Sequence, residues 1–451
     1  MIYELESMTE SDIHAVNLSC ARSYVYYHES KYYSSIFNEM FVQTGLKWKE
    51  AVRWWVSNSA RAIRKNARGF TFSMDYRTYT GSKQGIGYRG VKEFTSFLES
   101  KGYIDIYKGY VSSWKVVKGK RTPENIVPSC IIFKKRTLDM WDGVNTKYNL
   151  WKDLEENDLA VIRNRETKEA LPSRGVSGFK DIKTGVKVLN SKLEGADITF
   201  DGRPIADVAY RRIFSGDINT GGRLYTLGGG VQLLPQHVRA SSLRIDGERV
   251  VELDYSAIHP SICYQQMYND GLNVFDVLGE SFSPYGADLT FIQVDQQMKG
   301  DIERETGATH NPTRTLAKLA ILMAMNSDDK NSAAWTLGNK VKQDREKPKK
   351  DQMFYAMIGK VDYGRVLDAV QYHNDLISDR FFSDGGIVLQ NIDSRIMMNI
   401  VGAMGEKGHT ILCYHDSALV KESAKQDLYN AMIKAWKDVL GDTTFCKVEE
   451  K

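Results

Sequence analysis

Three short stretches carry residue types that act together on phosphate chemistry. The first, VVELDYSAIHPSICY (250–264), is an apolar, β-branched run that reaches the acid Asp254. The second, THNPTRTLAKLAILMAMNS (309–327), sets Arg314 and Lys318 four residues apart, on one face of a helix. The third, GHTILCYHDSALVKES (408–423), places Asp416 between two β-rich runs, at the tip of a hairpin. A strand ending in one acid is commonplace. Two such acids, with a cationic helix face between them in the sequence, are what two-metal phosphoryl transfer requires. The carboxylates bridge two Mg²⁺ ions roughly 3.5–4 Å apart, and the cations hold a triphosphate in line for attack by a hydroxyl. Hard cations prefer oxygen ligands, which suits Asp and a chain without His/Cys clusters; Mn²⁺ is the natural substitute for Mg²⁺.

The elements that position these residues follow from periodicity and end signals. A strand closes at Asp254, a tight turn runs through Tyr255, Ser256 and Ala257, and a helix begins just past Pro260. Asn311 or Thr313 caps the Arg314/Lys318 helix, with Pro312 in its first turn. Upstream, RRIFSGDINTGGRLYTLGGG (211–230) pairs Gly221 and Gly222 before Arg223, a pattern that serves a phosphate contact or a plain hairpin. HVRASSL, with Arg239, then leads through an Asp246-Gly247 turn into the Asp254 strand. Between Thr137 and Asp207 the pattern is mixed. It offers helix-like runs at NLWKDLEENDLAVIRNRE and GVKVLNSKLEG and a strand-turn at ADITFDGRP.

With 451 residues, 42% hydrophobic and 26% charged, the chain is long enough for two or three folded domains. The opening MIYELESMTESD has no apolar h-region, and no apolar run approaches the ~20 residues of a bilayer span. The five cysteines are scattered and free of CxxC spacing, which argues against a zinc site or a disulfide framework. These features lead us to expect a cytoplasmic protein without a membrane partner.

The net charge of +4 is unevenly spread: Arg53 to Arg136 holds 18 Lys and Arg against 5 Asp and Glu. A basic block in a near-neutral chain points to a polyanion, usually nucleic acid. Before it, Tyr24, Tyr26, Tyr27, Tyr32, Tyr33, Trp48, Trp54 and Trp55 fall at helical spacing, which favours a core over a base-stacking platform. Within the block, Val91, Phe94, Phe97 and Leu98 line one face of a helix that ends at Lys101-Gly102. YIDIYKGYVSSWKVV then alternates as two strands about Lys108-Gly109-Tyr110. This order resembles a winged helix-turn-helix. The resemblance implies a recognition helix from Tyr88 to Ser100 with Arg89 and Lys92 near its start, and Lys108, Lys115, Lys118 and Lys120 on or beside the wing.

From Arg211 to Lys421 the chain resembles the palm and fingers of right-hand nucleic-acid polymerases, nearest the family A DNA polymerases and the single-subunit phage-type RNA polymerases. VELDYSAIHPSI is similar to their motif A, Arg314-Thr-Leu-Ala-Lys318 to motif B, and Tyr414-His415-Asp416-Ser417 to motif C. Gly222-Arg223-Leu224 resembles the Gly-Arg-Leu before motif A, and LQNIDSRIMMNIV (389–401) the helix along the primer-template minor groove. The resemblance implies Asp254, Asp416 and the Tyr255 backbone carbonyl as metal ligands. It also implies Arg314 and Lys318 on the incoming triphosphate, with Lys318 protonating pyrophosphate. Arg223, Gln390, Asp393 and His415 become primer-template contacts. His259 stands at the sugar-gate position and Asn326 where the relatives have a Tyr, so sugar choice does not carry over.

The expected fold is α+β, a right-hand polymerase with an antiparallel palm sheet and helical fingers. Its expected divisions are a nucleic-acid-binding region at 1–136, a connector or thumb-like segment at 137–210, and palm and fingers at 211–451. The expected function is a minimal, Mg²⁺-dependent DNA polymerase without a proofreading exonuclease, acting on primer-template DNA and nucleoside triphosphates for a phage, plasmid or mobile element. The rivals are an RNA polymerase or primase-polymerase on the same palm, and a non-catalytic replication initiator with a vestigial palm.

Overall fold

The computed structural model describes residues 20–22, 34–45, 47–64, 67–79, 85–117, 120–144, 159–205, 208–228, 231–234, 236–279, 281–307, 309, 311–346 and 357–451. Tyr24, Tyr26, Tyr27, Tyr32, Tyr33 and Lys118 lie outside these residues, as do the side chains of Lys115 and Lys120.

In the first part, strands β1 (Cys20–Arg22), β2 (Gly69–Phe72), β3 (Ile104–Tyr107) and β6 (Ser129–Phe133) form a sheet in the order β1-β2-β6-β3. Strands β4 (Tyr110–Val117) and β5 (Lys120–Val127) make a separate antiparallel ribbon. Helices α1 (Ser34–Thr44), α2 (Lys49–Arg64), α3 (Tyr88–Ser100) and α4 (Lys135–Trp141) complete it. Trp54 and Trp55 are fully buried, edge-on to Phe70 and Phe94 at 5.5 and 6.2 Å, so these aromatics build a core. Helix α3 buries Val91, Phe94, Thr95 and Leu98 on one face and stops at Lys101, where Gly102 takes φ +72°.

Two expectations in this half of the chain need correcting. Tyr103–Val117 is not a hairpin about Lys108-Gly109-Tyr110: β3 pairs antiparallel with β6, and β4 pairs with β5. Alternation marks a strand without naming its partner, and burying Ile104 beside Ile131 and Phe133 decides the pairing here. Within the helix-like run at 149–166, Ala160–Arg163 is strand β7, laid parallel to β10 (Ala209–Ser215). Burial of Ala160 and Ile162 against Phe214 outweighs the local helical pattern.

The second part carries the acids. β10 and β11 (Asp217–Gly228) form a long hairpin beside β7. A larger sheet runs β14-β15-β13-β12-β8-β9, from β8 (Ile198–Phe200), β9 (Arg203–Pro204), β12 (Leu243–Ile245), β13 (Glu248–Tyr255), β14 (Leu412–Tyr414) and β15 (Ser417–Lys421). β16 (Val448–Glu450) adds to the last residues of β13, on the edge away from β15. Helices α5 (Phe179–Glu194) and α6 (Gln236–Ser242) precede β13. α7 (Ile258–Asn269), α8 (Val274–Leu278), α9 (Gln296–Thr306), α10 (Pro312–Met325), α11 (Lys330–Arg345), α12 (Tyr363–His373), α13 (Gly386–Glu406) and α14 (Lys425–Leu440) follow it. One apolar core runs from Leu159 to Leu440, with Val186 and Leu189 of α5 in it. Helix α7 starts at Ile258, so Pro260 lies within its first turn rather than before it, and Ala257 makes the turn at φ +52°. No helix among the described residues is long and apolar enough to cross a membrane.

Candidate active site

Strand alternation sets the chemistry of β13. Leu253 and Tyr255 point one way and are buried, the Tyr255 ring 5.4 Å from Trp436 and its hydroxyl donating to the Met432 carbonyl of α14 at 2.7 Å. Glu252 and Asp254 therefore share the opposite face. Antiparallel pairing of β13 with β15 puts Asp254 opposite Ser417, so Asp416, in the turn just before, stands beside Asp254. The turn is tight, with His415 at φ +58°.

A buried ion pair lies beneath the two acids. Arg239 of α6 donates to both Glu252 oxygens, at 2.7 to 3.1 Å, and the two side chains are 4% and 5% exposed. Ser417 donates to Glu252 Oε1 at 2.6 Å, and the Arg239 guanidinium lies 3.7 Å from the Tyr414 ring centre. These contacts tie the strand before Asp254 to the residues on either side of His415-Asp416. Glu252 was visible as an acid inside Val250-Val251-Glu252-Leu253, a position that demands a buried partner. The sequence did not say that Arg239 is that partner.

The cations come from α10. Asn311 caps it, its side chain accepting from the Arg314 backbone N–H at 3.0 Å, and Pro312 follows as expected. Leu316, Ala317, Ala320 and Ile321 are buried, which leaves Arg314 and Lys318 exposed on the other face. Their charged groups lie 5.4 and 5.9 Å from the ring of Tyr285, a residue with no sequence signal of its own. Burial first, then the charges of Asp416 and Asp254, hold the Tyr285 hydroxyl protonated well above the usual range. Asp254, Asp416, Arg314, Lys318 and Tyr285 thus form one electrostatic neighbourhood.

Asp254 shows the tension of the site. Its carboxyl is pushed up to about 6 by burial first and by Asp416 next, against the pull of Lys451 and Lys318. Oδ1 is buried without a hydrogen-bond partner, and Lys451 Nζ lies 2.7 Å from Oδ2. Folding therefore favours the protonated acid. The metal-free protein should lose stability as pH rises from near 4 to about 6, by about 2–3 kcal/mol, then level off. Thermal melting in chelator across this range, wild type minus Asp254→Asn, isolates that limb; parallel curves would refute it.

Two carboxylates with an orphaned oxygen and mutual repulsion fit a divalent cation. No group of three or more His, Cys, Asp and Glu able to hold a metal occurs among the described residues, so further ligands must be backbone, water or substrate oxygens. That is a donor set suited to Mg²⁺.

Other expected residues fall around this centre. Arg223 on β11 forms an ion pair with Asp393 of α13, whose side chain is fully buried. His259 Nε2 lies 2.9 Å from the same carboxylate and 3.3 Å from Arg223. Arg223 and His259 are thus bound to each other through Asp393, and the Arg223 side chain is only 18% exposed. Gly222 takes φ +88°, and a Cβ there would meet Phe214 at 2.6 Å, which accounts for this glycine through packing. His415 has its ring 5.8 Å from Tyr225, with Nδ1 buried and unpartnered. Burial first, then Arg223, lowers its basicity and keeps it neutral at pH 7. Asn326 caps the end of α10, with its amide back-bonded to the Leu322 carbonyl and packed on Gly386. Gln390 is half-buried on α13. Arg89 is exposed and paired with Glu93 at 2.8 Å, and Lys92 and Lys108 are exposed.

No protein-family model matches the chain, and no curated protein matches it. Among solved structures, it is similar to the POL domain of Pol1 from M. smegmatis in complex with DNA primer-template and dNTP. The TM-score is 0.30 at 14% identity, covering 66% of this chain and 59% of that one.

Proposed function

We propose that the chain is a template-directed nucleotidyltransferase, most directly a DNA polymerase. The observation that carries this reading is the β13–β15 register, which sets Asp416 beside Asp254, with Arg314, Lys318 and Tyr285 around them. Asp254, Asp416 and the Tyr255 carbonyl would hold Mg²⁺, which when bound supplies charge neutralisation and a more acidic attacking hydroxyl. Arg314 and Lys318 bind the triphosphate, and Lys318 gives a proton to the leaving pyrophosphate. Arg223, held by Asp393, offers an oriented guanidinium to a primer-template backbone. His415 and Gln390 are further contacts in this reading.

Extension of a labelled primer on a DNA template, with dNTPs and NTPs in separate reactions and an unprimed control, tests it. Extension with dNTPs only is the expected result. Extension with NTPs, or without primer, assigns the palm to an RNA polymerase or primase-polymerase instead. Absence of any incorporation leaves a DNA-binding initiator with a vestigial palm.

The proposal for the first part is duplex DNA binding. Helix α3, the β4–β5 ribbon and the β2-β6-β3 sheet follow the order of a winged helix-turn-helix, with Arg89, Lys92 and Lys108 exposed. Changing all three to Ala should make the slope of log K against log salt shallower by about 2–3. Fluorescence anisotropy with a labelled duplex measures it, and an unchanged slope removes α3 from the DNA contact surface.

A further inference from the structure

Strand β16 brings charges of both signs to the acidic centre. It pairs antiparallel with β13, Glu450 opposite Leu253 and Glu449 opposite Asp254. The Lys451 backbone N–H continues the ladder, donating to the Glu252 carbonyl at 3.0 Å. That bond fixes the Lys451 backbone at the level of Glu252, and its side chain reaches Asp254 Oδ2 at 2.7 Å. Glu449, two residues earlier, is paired first with Lys447 at 2.7 Å and interacts more weakly with Ser256. This ladder thus lends an ammonium to a carboxylate that the proposed reaction needs for metal.

We propose that Lys451 is the resident counter-cation of Asp254, and that a divalent cation binds there by displacing it. This rests on the reading of Asp254 and Asp416 as a metal-binding pair. One ammonium reaches a single oxygen of Asp254, leaving Oδ1 buried and unpartnered. A divalent cation held by Asp254 and Asp416 would bring twice the charge to the same carboxylate. The ammonium and the divalent cation would neutralise the same carboxylate and repel each other, so each weakens the binding of the other. Lys451 is able to leave: its side chain is one-third exposed, and its flexible stem lets the ammonium swing into water while the backbone stays in the ladder. A plain surface ion pair contributes little to stability, whereas a competitor for Asp254 is read in the metal affinity.

The test is Mn²⁺ binding to the full chain, followed by the electron-spin-resonance signal of free Mn²⁺, without nucleotide or DNA. Lys451→Met should bind Mn²⁺ about 3- to 10-fold more tightly than wild type, because the competitor is gone. Lys451→Arg, which keeps the charge, should stay near wild type. Lys451→Gln replaces the Met variant if circular dichroism shows that variant unfolded. Equal or weaker Mn²⁺ binding in the charge-removing variant overturns the proposal. Asp254→Asn and Asp416→Asn are the reference: if wild-type binding survives both, the metal-pair reading itself fails. If binding depends on the acids but not on Lys451, only the displacement fails.

Discussion

Asp254→Ala and Asp416→Ala should each lower nucleotide incorporation by roughly 10³-fold or more, with the protein still folded. Asp254 lies near the end of β13 and Asp416 in the turn that leads into β15; as they act as a unit, the double variant should be little worse than either single one. Single-turnover extension of a labelled primer measures this. Stability should move the other way. Asp254 carries a buried, unpartnered oxygen and a carboxyl pushed up to about 6, so truncating it relieves a cost of folding. In chelator at pH 7.5, Asp254→Ala should melt at or above wild type. An inactive variant that is no less stable is the mark of a charge kept for function. Wild-type incorporation in both alanine variants would end the nucleotidyltransferase reading.

The second large effect lies under the site. Glu252→Leu leaves the Arg239 guanidinium, 4% exposed, without its carboxylate, and should cost about 3–5 kcal/mol. Adding Arg239→Met removes the orphaned charge and should recover much of that loss, because buried pairs are often replaceable by apolar groups. Activity should not recover with it. The double variant still lacks the Ser417–Glu252 hydrogen bond and the Arg239–Tyr414 stacking that locate the Asp416 turn, so incorporation should stay down by about tenfold. Urea denaturation and primer extension on the same three proteins measure the two effects. Joint recovery would reduce the pair to a core contact; loss of both in the double variant would contradict the stability argument.

What the sequence made legible was local. Asp254 closes an apolar run, Asn311-Pro312 opens a helix, and His415-Asp416 interrupts two β-rich runs; each signal lies within a dozen residues, and each element forms there. The partners of Glu252, Arg223 and Asp254 were not legible, because the fold brings them from 13, 170 and 197 residues away. Tyr285 sits where no periodic pattern flags it. The β3–β6 pairing was missed for a related reason, since a strand's alternation is the same whichever neighbour it meets.

The attachment of α13 to the β10–β11 hairpin has a consequence for how the molecule breathes. Asp393 holds Arg223 and His259, Ser394 accepts from Arg212 at 2.9 Å, and Asn391 donates to the Ile218 and Gly221 carbonyls. Helix α13, the hairpin and the start of α7 are thereby one cooperative unit, since opening any one strands a buried charge in the others. Their backbone amides will exchange with deuterium together and late. The first turn of α10 is held by the Asn311 cap and presents Arg314 to solvent, and it will exchange early. The face that carries Arg314 can therefore fluctuate while the surface that carries His259 keeps its shape.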